Sequence, residues 1–170
     1  SHPLGQLIMD ELATFEEPVY WECPDTGLSC RCKPDFFFEM PDRVVCYDLK
    51  TTERIRPDDF ARVCKSFRYW LQDAHYTAGL QASFGKPVEF VFWAIESKVP
   101  YRIARYEYDE ASRETFREFY RRKMIELKSC YVSGVWQDDW TRGTNNLVIQ
   151  PWDLSAVEEE LDFSGVDNEE

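Results

Sequence analysis

Val88-Glu89-Phe90-Val91-Phe92-Trp93-Ala94-Ile95 is apolar at every position but one. No other stretch restricts the fold of this chain so tightly. A run this short, rich in β-branched and aromatic residues, predicts a strand covered on both faces. Such a strand needs a layer of structure above and below its sheet. Two further apolar segments, Phe36-Phe37-Phe38 and Val44-Val45-Cys46-Tyr47, are joined by the turn signal Met40-Pro41-Asp42 and read as paired strands.

The flanking patterns supply the layers. Leu4, Leu7, Ile8, Leu12 and Phe15 predict one amphipathic helix over residues 3–17, which Pro18 ends. Val19-Tyr20-Trp21 starts a strand, and Pro24-Asp25-Thr26-Gly27 turns the chain into another over residues 28–33. Arg56-Pro57-Asp58-Asp59 opens a long helix whose apolar stripe runs through Phe60, Val63, Cys64, Phe67, Leu71, Ala74 and Ala78, until Gly85 closes it. Tyr101 to Tyr108 alternates as an edge strand. Asp109 then caps a last helix to about Val132, with Phe116, Phe119, Tyr120 and Met124 inward. The order predicts an α/β domain with a mixed central sheet flanked by helices. It spans residues 1–153. Irregular sequence bearing Trp136, Trp140 and Trp152 leads to an acidic tail over residues 154–170, expected to be disordered.

Net charge is −12 in 170 residues, which on average disfavours a nucleic-acid partner. The charge is unevenly placed. The last fourteen residues hold seven acids and no base, so the rest carries −5. No apolar run approaches the ~20 residues that cross a bilayer. No secretory signal is visible, and a cytoplasmic protein is expected. The six cysteines, at 23, 30, 32, 46, 64 and 130, are expected as reduced, packed thiols. Cys30-x-Cys32 is a poor chelate for structural zinc or an iron–sulfur cluster.

Chemistry gathers at the ends of the paired strands. Asp48 and Lys50 stand two apart, on one face of a strand. A hairpin brings Asp35 back beside Asp48. A carboxylate pair with an ammonium beside it is equipment for holding a divalent metal and a water against a phosphodiester. Gln72 and Tyr76, four apart, share one helix face. Arg54, Arg56, Arg62, Lys65 and Arg68 precede them and are placed to meet phosphates, unless they pair with Asp58 and Asp59. The alternating charges after residue 110 read as a salt-bridged helix surface.

Pro34-Asp35, Asp48-Leu49-Lys50-Thr51-Thr52 and Gln72-Asp73-Ala74-His75-Tyr76 resemble the PD-(D/E)xK nuclease core with the QxxxY element of its RecB-type branch. With Val19-Tyr20-Trp21, Thr26-Gly27-Leu28, Cys30-Arg31-Cys32-Lys33 and Phe84-Gly85, the chain from about residue 2 to 153 is similar to the C-terminal nuclease domain of the RecE (exonuclease VIII) family. The resemblance implies a 5′→3′ exonuclease on linear duplex DNA that uses Mg²⁺, with Mn²⁺ as a substitute. It further implies a homotetrameric ring and a single-strand annealing partner of the RecT type, in a bacterial or phage setting. Asp35, Asp48 and the Leu49 carbonyl would hold metal. Lys50 would orient the attacking water, and Gln72 and Tyr76 would steady the site. Glu17, with Glu16 as the alternative, would be the upstream acid. The RecB-type branch also carries a histidine in a GxxxH pattern, and this sequence has no such pattern, His2 standing in a different setting. The alternatives are a RecB- or Cas4-like nuclease of other polarity and a catalytically silent docking domain for recombination.

Overall fold

A computed structural model describes residues 2–136, and every element lies within the compact unit Ser1–Gly134. The expected boundary at 153, the tail 154–170, Trp140 and Trp152 lie outside the described residues.

Helix α1 (Pro3–Ile8) is followed by strands β1 (Thr14–Phe15), β2 (Val19–Glu22), β3 (Ser29–Cys32), β4 (Phe36–Glu39) and β5 (Val44–Thr52). Then come α2 (Pro57–Phe67), α3 (Tyr69–Phe84), β6 (Val88–Glu96), β7 (Ile103–Tyr106) and α4 (Glu110–Ser133). Five strands form one mixed sheet in the order β1-β4-β5-β6-β7, while β2 and β3 make a separate hairpin. Among the described residues only β5 and β6 run parallel, joined by the crossover through α2 and α3. The mixed sheet flanked by helices is the architecture expected from the apolar runs.

Alternation along β5 and β6 feeds two cores. Val44, Cys46, Phe90, Phe92 and Ala94 point to the face covered by α2 and α3. Val45, Tyr47, Val91 and Trp93 point to the other, where Leu4 of α1 joins Phe36 and Phe38. The central strands are thus buried on both sides, as their composition requires.

Two helices differ from expectation. The helix over 3–17 stops at Ile8, because the Asp10 carboxylate takes the Leu12 N–H at 2.9 Å and closes a turn in competition with the helix. Thr14 and Phe15 pair instead with Phe37 and Phe36, and the Phe15 ring stacks on Phe36. His2 caps α1, its Nδ1 accepting from Leu4 N at 3.2 Å. The long helix is two helices. Arg68 adopts φ 56° and ψ 40°, a left-handed conformation that ends α2 and starts α3 in a new direction. The expected strand over 101–108 is shorter, at 103–106.

The β2–β3 hairpin docks on α3 through Trp21. A Cβ on Gly79 would fall 2.5 Å from the Trp21 ring, so the bare backbone there lets the indole lie against the helix. His75 reinforces this contact, with Nδ1 3.0 Å from Tyr120 Oη and Nε2 3.0 Å from the Arg31 carbonyl oxygen. The hairpin leads directly into Lys33, Pro34 and Asp35.

Candidate active site

β5 leaves the core at its C-terminal half, passing from fully buried residues through Asp48 to the half-exposed Leu49 and Lys50. The register of β4 on β5 pairs Phe36 with Tyr47, so the next position outward on each strand is an aspartate. The predicted hairpin therefore brings Asp35 to Asp48. The Asp35 Oδ2 accepts the Leu49 N–H at 2.6 Å, which ties the first carboxylate to the strand of the second.

Asp48 is only 3% exposed. Burial pushes its carboxyl above the ordinary aspartate range; a hydrogen bond and the positive charge from Lys50 oppose the rise, the Asp35 charge adds to it, and Gln72 opposes it again. Gln72 Nε2 donates to Asp48 Oδ1 at 2.5 Å. Lys50 Nζ lies in ion contact with Asp48 Oδ2 and 4.5 Å above the ring centre of Tyr69. Asp48 Oδ2 is enclosed, and the Lys50 ammonium is its partner among the described residues.

Tyr76 is one step removed. Its hydroxyl donates to the Lys33 carbonyl at 3.3 Å. Burial raises its pKa while a hydrogen bond with Gln72 lowers it. Tyr76 thus links the segment entering Asp35 to the glutamine that holds Asp48.

The upstream acids divide. Glu16, at φ 45°, donates its N–H to the Asp35 carbonyl at 3.0 Å and pairs its carboxylate with Lys33 at 2.6 Å. Glu17 is exposed on the same loop and has no described bond to the site. Among the described residues no group of three or more His, Cys, Asp or Glu side chains could hold a metal together. The site offers two carboxylates, and its fit to a metal rests on them. Asp48 is a buried carboxylate whose charge Lys50 and Gln72 only partly compensate, so a hard cation would be stabilised beside it. Two carboxylates fit a divalent cation that keeps waters and phosphate oxygens for its remaining ligands.

Two groups escaped the sequence reading. Tyr69 stands three before Gln72 and seven before Tyr76, on the same helix face, so its spacing was the available signal. Asp73 is buried at 3% exposure and lies 3.4 Å from the guanidinium of Arg113, which also donates to the Phe90 carbonyl at 2.5 Å. Arg113 is therefore an inward tie between α4, α3 and β6. Its neighbours Arg117, Arg122 and Lys123 do pair with glutamates on the helix surface. The cysteines are all free thiols, and burial pushes the Cys32 thiol up to about 12.

Residues 7–139 match the model of a family described as a PDDEXK-like domain of unknown function (DUF3799). Among solved structures, the chain is similar to that of a Eubacterium rectale protein provisionally named an exonuclease. The two superpose with a TM-score of 0.59 over 90% of this chain and 63% of that one, at 16% sequence identity. The likeness is one of fold, and this chain spans less than two thirds of that protein's length. The structure of SSO0001 aligns with a TM-score of 0.40 over 79% of this chain and 64% of the other at 17% identity, and no argument rests on it. No curated protein matches the sequence.

Proposed function

Since the chain belongs to this PDDEXK-like domain family, we propose that it is a metal-dependent nuclease that cleaves DNA phosphodiesters at Asp35, Asp48 and Lys50. The observation that carries the proposal is the arrangement at Asp48: a buried carboxylate with one oxygen bonded by Gln72 and the other in ion contact with the Lys50 ammonium, while Asp35 is tied to the adjoining Leu49 N–H. A purely structural aspartate in that position would be a liability, because burial disfavours its charge and Lys50 and Gln72 offset only part of that cost.

The residues divide the work. Asp35 and Asp48, with the Leu49 carbonyl, would hold Mg²⁺, for which Mn²⁺ would substitute. The bound ion supplies Lewis-acid activation of water and charge neutralisation at the phosphate. Lys50 donates hydrogen bonds to the attacking water and to a non-bridging phosphate oxygen, countering the charge that develops there. Gln72 fixes the Asp48 carboxylate in one orientation, and Tyr76 anchors Gln72 to the strand entry at Lys33. Glu17, the position that the motif resemblance favours, or Glu16 would complete the metal site from upstream.

The ordered motifs from Val19 to Gly85 support a finer assignment, a RecE-type exonuclease that digests linear duplex DNA 5′→3′. The same resemblance supports a tetrameric ring handing its single strand to an annealing protein of the RecT type. A ring reconciles an acidic chain with DNA, because only the channel lining needs positive charge.

The test is Mg²⁺-dependent digestion of linear duplex labelled at one end, with closed circular duplex alongside. Early release of 5′ label from linear DNA alone, abolished in Lys50→Ala and Asp48→Ala, is the expected result. Equal inertness of wild type and both variants, with no Mg²⁺ binding, would sink the catalytic assignment. Early release of 3′ label would overturn the polarity alone.

A further inference from the structure

The apolar stripe of α2 runs through Phe60, Val63 and Cys64 and aims Phe67 at the core. The left-handed turn at Arg68 prevents this, and Phe67 is 68% exposed. Its ring stacks on Tyr69 with centres 5.7 Å apart, and Tyr69 in turn lies 4.5 Å beneath the Lys50 ammonium. A solvent-facing aromatic is thus joined to the candidate catalytic lysine through a single ring.

The cations around Phe67 are unneutralised too. Lys65 and Arg68 on either side of it, and Arg56 at the start of α2, are exposed and make no ion pair among the described residues. Arg62 on the same helix is paired with Asp59, and on α4 Arg117, Arg121, Arg122 and Lys123 are all paired with acids. In a chain with net charge −12, cations left unneutralised beside an exposed ring are complementary to a polyanion that also carries flat apolar faces.

We propose that Phe67 is a stacking platform for an unpaired base at the end of the DNA, with Lys65 and Arg68 gripping the adjoining phosphates. This rests on the nuclease reading above and adds a subsite to it. The two steps from Phe67 to Lys50 amount to a few nucleotide rises at about 3.4 Å each. A strand with its scissile phosphate at Lys50 therefore reaches the platform within its next few nucleotides. Stacking requires a base free of its complement, so the platform favours frayed or single-stranded ends over closed duplex.

The test is equilibrium binding of two DNAs to the full chain with Ca²⁺ in place of Mg²⁺. One duplex is blunt, and the other carries a short single-stranded extension containing the fluorescent base 2-aminopurine. Phe67→Ala is expected to weaken binding of the extended DNA by about 5- to 100-fold and to relieve the quenching of 2-aminopurine. Phe67→Trp is expected to restore both, whereas Phe67→Leu, which keeps the apolar bulk, restores neither. Lys65→Gln and Arg68→Gln should each reduce the slope of log affinity against log salt by about 0.7.

Wild-type affinity and quenching in both Phe67→Ala and Phe67→Leu would overturn the platform while leaving the nuclease intact. A wild type that binds neither DNA would overturn the nuclease reading and the platform with it. Self-association that disappears in Phe67→Ala, with DNA binding unchanged, would assign the ring to a second copy of the chain and remove it from the substrate path.

Discussion

Lys50 lies over the face of Tyr69, with its ammonium 4.5 Å from the ring centre, while the same nitrogen contacts Asp48. The tyrosine, itself stacked on Phe92, gives the cation a fixed resting place in a site that would otherwise leave a flexible side chain free to wander. Tyr69→Phe keeps the aromatic face and should retain nearly full activity. Tyr69→Leu should lower kcat by a factor of about 2 to 30, in line with a cation–π contact worth about 0.5–2 kcal/mol. Metal affinity should stay unchanged, so single-turnover rates and Mg²⁺ titration together test the assignment.

Asp48 gives the metal-free protein a stability profile of its own. Its folded pKa is raised, chiefly by burial, so between the unfolded and folded values the native state holds more protons. The Asp48 contribution to stability therefore falls as pH rises through that interval and stays low above it. Asp48→Asn removes the penalty. In EDTA the variant should melt higher than wild type at pH 7, and the gap should close below the ordinary aspartate pKa of about 3.9. Thermal melts across pH in EDTA would show this. A variant that melts lower at neutral pH would contradict it.

Mg²⁺ should reverse that order. A ligand at 100 times its dissociation constant stabilises the state that binds it by about 2.7 kcal/mol. Wild type should gain a stabilisation of this size, whereas Asp48→Asn should gain little. Differential scanning calorimetry with and without Mg²⁺ makes the comparison directly.

Gly79→Ala should destabilise the fold. Alanine is the better helix former by about 1 kcal/mol. Here its Cβ would stand 2.5–2.8 Å from three carbons of Trp21 and force the β2–β3 hairpin off α3. Overpacking of this kind costs about 1–3 kcal/mol net. The displaced hairpin carries Lys33 and Asp35, so nuclease activity should fall more than stability at 25 °C explains. Urea melts beside activity measurements separate the two losses.

Arg113→Ala should cost about 3–5 kcal/mol, because it leaves the Asp73 carboxylate enclosed without its cation. Pairing it with Asp73→Asn should recover a large part of that loss. Urea melts of the single and double variants give the coupling. A double variant no more stable than Arg113→Ala would count against this role.

The hairpin and its two aspartates were legible because β4 and β5 are short apolar runs whose period sets the register, and register alone brings Asp35 to Asp48. The break at Arg68 was not legible. It contains neither glycine nor proline, and the apolar stripe passes through it without interruption. Only the fit of Tyr69 against Phe92 and Phe60 shows what the turn achieves. The early end of α1 escaped for a related reason, since Thr14 and Phe15 are drawn into the sheet by β4, more than twenty residues away. The Asp73–Arg113 tie likewise spans forty positions, and neither residue signals the other locally.

The turn at Arg68 has an evolutionary corollary. Tyr69, Gln72 and Tyr76 all project from α3, whereas the outward cations Arg56 and Lys65 belong to the segment before the turn. One left-handed residue separates the two sets, which touch through Phe60 and Phe67 of α2 against Tyr69 of α3. On the proposed reading, substitutions at Arg56 or Lys65, which make no ion pair among the described residues, retune grip and salt tolerance and leave the described contacts of the aspartates in place. An engineer, or natural drift, can rewrite the handle of this tool and leave its blade untouched.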